Sequence, residues 1–228
     1  MSATNVIHQS LQIPAAGVVL EADFGLPESP RGAVLFAHGS GSGRHSPRNR
    51  YVAGELNHAG LATVLADLLT RDEEQVDMLT ASLRFDIDLL AVRVMALTDW
   101  MAGNEPTAGL GVGLFGASTG AAAALIAAAG RPDTVQAVVS RGGRPDLAGQ
   151  HLHQVPQPTL LIVGERDPIV IDLNRQAMNR LQGEKHLVII PGASHLFEEP
   201  GTLEQVAALA RDWFVRYLQS PAHPENGD

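Results

Sequence analysis

Residues 116–120 read Gly-Ala-Ser-Thr-Gly, a G-x-S-x-G pattern with Ser118 at its centre. A serine hydroxyl is a weak nucleophile until a base removes its proton, and that base must be oriented by an acid. On strand–turn–helix scaffolds these groups follow the chain order serine, acid, histidine, each just beyond a strand. Here the apolar run 158–164 (PTLLIVG) leads into Glu165, Arg166 and Asp167, and the run 186–192 (HLVIIPG) leads into Ala193, Ser194 and His195. Ser118, Asp167 and His195 are therefore expected to form a nucleophile–acid–base triad. Asp146 and Glu165 are the alternative acids. The bland readings are that Ser118 and Asp167 merely cap helices, a common use of both residue types.

Acyl transfer also needs donors for a developing oxyanion. The amide of Thr119, next after the nucleophile, is one candidate. The second should come from the small-residue loop His38-Gly39-Ser40-Gly41-Ser42-Gly43, with Ser40 expected to supply it and Gly39 or Gly41 as alternatives. No G-K-[ST] follows this loop, so it is not a phosphate-cradling P-loop.

A second motif overlaps the first. Gly111, Gly113 and Gly116 spell G-x-G-x-x-G, which in dinucleotide-binding folds marks a strand-to-helix turn. Here Gly111 and Gly113 are expected inside the strand 110–117, ahead of the turn. The next strand ends Val138-Val139-Ser140-Arg141, without an acid to hold a ribose. A nucleotide-binding or non-enzymatic protein using the Gly111–Gly116 stretch is thus the alternative reading. His151 and His153 form H-x-H without a third ligand at a diagnostic spacing. No metal and no cofactor are expected.

The elements that must position these groups can be read from hydrophobic runs. Residues 5–27 look like two strands with a turn around Pro14 to Gly17. Short apolar runs at 32–38, 61–67, 110–117, 135–140, 158–164 and 186–192 look like strands buried on both faces, a property of helix-covered parallel sheets. Helices are expected at 47–58, opened by Pro47, and at 84–102, 118–129, 170–182 and 202–218. Strand–helix alternation predicts an α/β fold, with a mostly parallel sheet of about eight strands flanked by helices. The final stretch SPAHPENGD is expected to fray.

At 228 residues, residues 1–228 are expected to form one domain. The 45% hydrophobic and 18% charged composition supports a buried core. A net charge of −9 argues against nucleic acid as a partner. No apolar run is long enough to span a membrane, and the start MSATNVIHQS has no secretory pattern, so a cytoplasmic location is expected. With no cysteine, disulfides, thiolate metal sites and a cysteine nucleophile are excluded. Nothing bears on oligomeric state.

Taken together, the stretches FAHGSGSGRHSPRN (36–49), ADLLTRDEE (66–74), RFDIDLL (84–90), GASTG (116–120), SRGGRPDLA (140–148), GERDPIV (164–170) and PGASHLFEEPG (191–201) give the chain a resemblance to the dienelactone hydrolase-like group of α/β-hydrolases, from about Leu20 to Leu218. The resemblance implies the α/β-hydrolase fold and a Ser118-Asp167-His195 triad. Similar chains also occur joined to a phosphoribosyltransferase domain. True dienelactone hydrolases use a cysteine nucleophile, so the reading here is a serine carboxylesterase. It would cleave a small ester, thioester or lactone through an acyl-enzyme, with an amidase or peptidase on the same fold as the alternative. The short connection between Ser140 and Pro158 leaves little room for a lid, which suits small soluble substrates. Arginines crowd the expected site: Arg44, Arg48, Arg84, Arg141 and Arg144. Arg44 and Arg141, on loops at strand carboxyl ends, are the candidates for gripping a substrate carboxylate. The competing expectation is that such arginines brace loops against nearby Asp and Glu.

Overall fold

The structure, a computed structural model, describes residues 5–218; the stretch SPAHPENGD lies outside the described residues. Eight strands form one sheet in the order β1-β2-β4-β3-β5-β6-β7-β8. They are β1 (Val6–Ala15), β2 (Val18–Pro27), β3 (Gly32–Ala37), β4 (Leu61–Ala66), β5 (Val112–Ala117), β6 (Val135–Arg141), β7 (Thr159–Gly164) and β8 (Lys185–Ile190). β1 and β2 form an antiparallel hairpin added to β4, and β3 to β8 run parallel. The hairpin turns at Ala16 and Gly17, both at positive φ, as a two-residue turn requires. Pro14, expected in the turn, instead sits in β1, where an edge strand tolerates a missing donor.

Six helices cover the sheet: α1 (Pro47–His58), α2 (Arg71–Thr80), α3 (Ile87–Gly103), α4 (Thr119–Gly130), α5 (Pro168–Met178) and α6 (Thr202–Tyr217). Strands β3, β4, β5 and β7 are buried at every position, and their side chains alternate between two cores. Leu35, Leu114 and Val138 face the core under α3 and α4, whereas Phe36, Phe115 and Val139 face the core under α1 and α6. β8 is different: most of it is half-exposed, because it closes the edge of the sheet and only one side is well covered.

The glycines of the overlapped motif have packing roles. Gly111 lies one residue before β5 rather than inside it. A Cβ on Gly113 would lie 2.5 Å from the Phe214 ring, and one on Gly116 would lie 2.4 Å from the Ala121 backbone. These glycines admit α6 and α4 to the sheet, so protein atoms fill the space that a pyrophosphate would need.

Helix α2 has no apolar face; Asp77 is its only fully buried residue. A reciprocal capping box sets its start, with Thr70 Oγ1 accepting from the Glu73 amide and Glu73 accepting from the Thr70 amide. Glu73 also receives two bonds from Arg93 of α3, at 2.6 and 2.5 Å, and Arg93 is buried. Those bonds hold the Glu73 carboxyl at about 2, against an ordinary 4.5, even though partial burial opposes the shift. A depressed carboxylate stabilises the fold fully above its unfolded value, and that contribution fades as pH falls toward the folded one. Glu73→Gln should therefore lose about 1–3 kcal/mol at neutral pH by leaving Arg93 unpaired. The gap from wild type should narrow as pH drops below 4.5. Urea melts at stepped pH check this, and parallel pH profiles for the two proteins would contradict it.

Candidate active site

Ser118 sits between β5 and α4 with φ 50° and ψ −123°, a conformation rare for a side-chain-bearing residue. Its backbone is fully engaged there. The Ser118 amide donates to Arg141 O at 3.3 Å, and Ser118 O accepts from the amides of Arg144 at 2.9 Å and Ala121 at 3.1 Å. Ser118 occupies the N-cap position of α4 but makes no side-chain cap bond, so its hydroxyl is not tied up in capping. Glycines let the surrounding chain close on it. A Cβ on Gly120 would lie 2.2 Å from Ala37 O, and one on Gly39 would lie 2.8 Å from Ser118 Cβ.

Asp167 follows β7 and heads α5, also without a side-chain cap bond. Its carboxylate instead meets His195, with Nδ1 at 2.6 Å from Asp167 Oδ2. His195 lies on the loop after β8. Gly142, the residue after Arg141, backs onto this histidine: a Cβ there would lie 3.6 Å from His195 Cε1. The strand ends thus bring Ser118, Asp167 and His195 to the same edge of the sheet. The alternative acids lie elsewhere. Asp146 receives two bonds from Arg144, both at 2.8 Å, and Glu165 accepts from the Gly192 amide at 2.7 Å.

The histidine loop carries supports that its sequence did not reveal. Glu199 accepts from the Ser194 amide at 2.9 Å and from the Ser194 hydroxyl at 3.2 Å. Those bonds hold the Glu199 carboxyl below its usual range. Phe197 takes a positive φ of 55° and is fully buried in the core under α1 and α6. The end of the apolar run of β8 marks where this loop begins, but nothing local marks Glu199 as its brace.

The small-residue loop after β3 is anchored by His38, which is buried. Its Nδ1 lies 3.0 Å from Gly39 O, while Nε2 accepts from the Leu68 amide at 2.9 Å. That arrangement fits a neutral ring protonated on Nδ1. Burial holds the imidazole below its ordinary value, against the opposing pull of its Gly39 bond and the Asp67 charge. Ser40 and Thr119 are joined by a direct bond: the Ser40 amide donates to Thr119 Oγ1 at 3.1 Å, and the two hydroxyls lie 3.0 Å apart. An oxyanion contact from Ser40 therefore requires exchange of this bond. A cleft of about 1050 Å³ opens beside the loop, bordered by Gly39, Ser40, Asp67, Glu74, Met78 and Arg84. Through Gly39 it comes up to Ser118, which is not itself among its lining residues.

The arginines divide into two groups. Arg44 binds Asp67, and Glu21 at 2.5 Å, so it braces the loop between β3 and α1. Arg84 is held by Asp77 at 2.6 Å and Arg144 by Asp146. Arg141 is buried, and among the described residues its side chain bonds only a neutral partner, Asn49 Oδ1, at 3.2 Å. His153 lies 3.4 Å from Arg180 on the surface.

A parallel sheet with a strained serine turn after β5, an acid after β7 and a histidine after β8 defines an α/β-hydrolase. The chain belongs to the dienelactone hydrolase family, whose model matches residues 20–219. It is 57% identical to dienelactone hydrolase from Anabaena variabilis, with a TM-score of 0.92, 94% of this chain and 99% of that one being covered. It is similar in fold to Est1E from Butyrivibrio proteoclasticus, at 16% identity and a TM-score of 0.75 over 91% of this chain and 98% of the other. It is also 56% identical over 213 residues to the Mycobacterium tuberculosis protein named "Putative phosphoribosyl transferase Rv0571c", covering 93% of this chain and 47% of that protein. The chain spans about half the length of the curated relatives it matches.

Two glycines make a matched test of the serine turn. Gly120→Ala should lower stability by about 2–3 kcal/mol, since rigid carbonyls lie where the methyl must go. Gly54→Ala in α1 meets nothing within 4 Å and should raise stability by about 0.5–1 kcal/mol. Thermal melts compare the two, and a neutral Gly120→Ala would mean that the turn tolerates expansion.

Proposed function

We propose that this hydrolase cleaves a small carboxylic ester, thioester or lactone through a Ser118 acyl-enzyme. The observation that carries the reading is the 2.6 Å Asp167–His195 contact, on the same carboxyl edge of the sheet as a serine whose hydroxyl does no capping. Asp167 fixes the imidazole with Nδ1–H toward the carboxylate, which leaves Nε2 as the base. Ser118 attacks the substrate carbonyl as His195 takes its proton. The proton then passes to the leaving alcohol or thiol, and water repeats the cycle to release the acid. The Thr119 amide, first of α4, supplies one oxyanion donor, and the positive end of α4 favours the same negative charge. Ser40 supplies the second donor once the substrate oxygen replaces Thr119 Oγ1 as its acceptor. Arg141, for which no carboxylate lies within ion-pairing distance among the described residues, is the residue for an anionic substrate group. The family supports this chemistry at the level of hydrolysis. The one-domain reading of residues 1–228 belongs to the same proposal, supported by the single sheet that collects all eight strands.

Ser118→Ala should cut turnover of short acyl esters on the order of 10⁴-fold while leaving the melting temperature near wild type. Asp167→Asn should also cripple turnover, because an amide permits the wrong imidazole tautomer. Asp146→Asn should keep most activity, since Asp146 serves Arg144. A fluorophosphonate probe should label Ser118 in the wild type. Wild-type rates in Ser118→Ala, or labelling of another residue, would overturn the assignment.

A further inference from the structure

Arg141 ends β6, and its carbonyl accepts the Ser118 amide, so its backbone is fixed at the nucleophile. Its side chain is 8% exposed, and among the described residues no carboxylate lies within ion-pairing distance of it. One guanidinium nitrogen donates to Asn49 at 3.2 Å, while the buried Nε has no partner. A buried cation without a counter-ion is costly, and native structures seldom keep one as mere bracing. Burial, and then the charge of Arg48, lower its pKa to about 10, so Arg141 remains charged at neutral pH.

Arg48 is the residue before Asn49 on α1. Among the described residues its one ion pair is with Glu198, at a long 3.6 Å, and Glu198 is mostly exposed. Its own Nε is also buried and unpartnered. Glu198 belongs to the loop that carries His195, so Arg48 reaches toward the base as Arg141 reaches from the nucleophile. The three other arginines of this edge, Arg44, Arg84 and Arg144, all have close carboxylates. The arrangement leaves two like charges side by side, with a neutral amide where a carboxylate would relieve them. A single negative charge would offset only one of them. A compact dianion whose several oxygens can accept from two guanidinium forks offsets both.

We infer that Arg48, Asn49 and Arg141 form a subsite for a doubly charged phosphoryl group carried by the ester substrate, remote from the bond that is cut. The phosphoryl group anchors the substrate and is not transferred; only the carboxylic ester gains water. The inference rests on the hydrolase reading of this site, and goes past a substrate carboxylate held by Arg141 alone.

Inorganic phosphate is the probe. Titration calorimetry on Ser118→Ala should show phosphate binding that weakens as pH falls and the dianion is lost. In the wild type, phosphate should compete with a neutral short-chain ester. Arg141→Met and Arg48→Met should each weaken phosphate binding roughly ten- to a hundred-fold, the scale of a lost charge-assisted hydrogen bond. Because Arg141→Met also removes a buried side chain from the fold, Asn49→Asp is the second variant. It places a carboxylate beside Arg141, so it should raise the melting temperature and weaken phosphate binding at least ten-fold. Ester hydrolysis by Ser118 with no phosphate binding, or binding unchanged in Asn49→Asp and Arg48→Met, overturns the subsite. Phosphate binding without ester hydrolysis would uphold the subsite and overturn the esterase reading instead.

Discussion

The site depends on one constraint, the close approach of three backbones around Ser118. The carboxyl ends of β3 and β5 and the start of α4 meet where Gly120 faces Ala37 O and His38 O. A positive φ at a serine costs on the order of 1–3 kcal/mol and persists only if its surroundings over-determine it. Here three backbone hydrogen bonds from two separate segments do so. One of those partners is Arg141 and another is Arg144, so the segment after β6 fixes the turn after β5. The strain sets the serine side chain proud of the helix it precedes, which is why the hydroxyl is left without a capping partner.

From that turn outward, the rest of the edge is held by paired charges and buried polar contacts. The oxyanion loop lies under Ser118 through Gly39 and is fixed from the far side by His38, which joins it to the strand end at Leu68. Asp67 receives both the Arg44 amide, at 2.7 Å, and its guanidinium, and so ties the next turn of the same loop to β4. The histidine loop is held separately, by Glu199 below Ser194 and by Phe197 in the core. The serine turn, the small-residue loop and the histidine loop are therefore fixed by three nearly independent sets of contacts. That division suits a site in which misplacement of any one group would defeat the others.

The strands and their mostly parallel order were legible because buried parallel strands leave continuous apolar runs, and the strand-end positions of Ser118, Asp167 and His195 because each follows one. Helix α2 was not, since a helix with a single buried residue leaves no apolar period; its only local mark is Thr70 and Glu73 three apart, a capping box. The misplaced turn at Pro14 arose because proline marks turns more often than edge strands. The role of Arg44 was hidden for a different reason. Its partners Glu21 and Asp67 lie on other strands, brought near only by the β2–β4 pairing. The same holds for Arg141 and Asn49, which are 92 residues apart.

That last pair bears on what the fold tolerates. The chain carries 25 acidic side chains against 16 basic ones, so carboxylates are not scarce. Several of them gather on the β2–β4 side, where Arg44 faces Glu21, Asp23 and Asp67 together. Arg141, more deeply buried than Arg44, faces an amide. If its task were to hold α1 against β6, a carboxylate at position 49 would do that better at no loss of volume, since Asp and Asn are nearly isosteric. An unpaired guanidinium beside a nucleophile is an expensive way to brace a loop. It is the expected arrangement where the counter-charge arrives with the substrate, because a resident carboxylate would compete with it for the same fork.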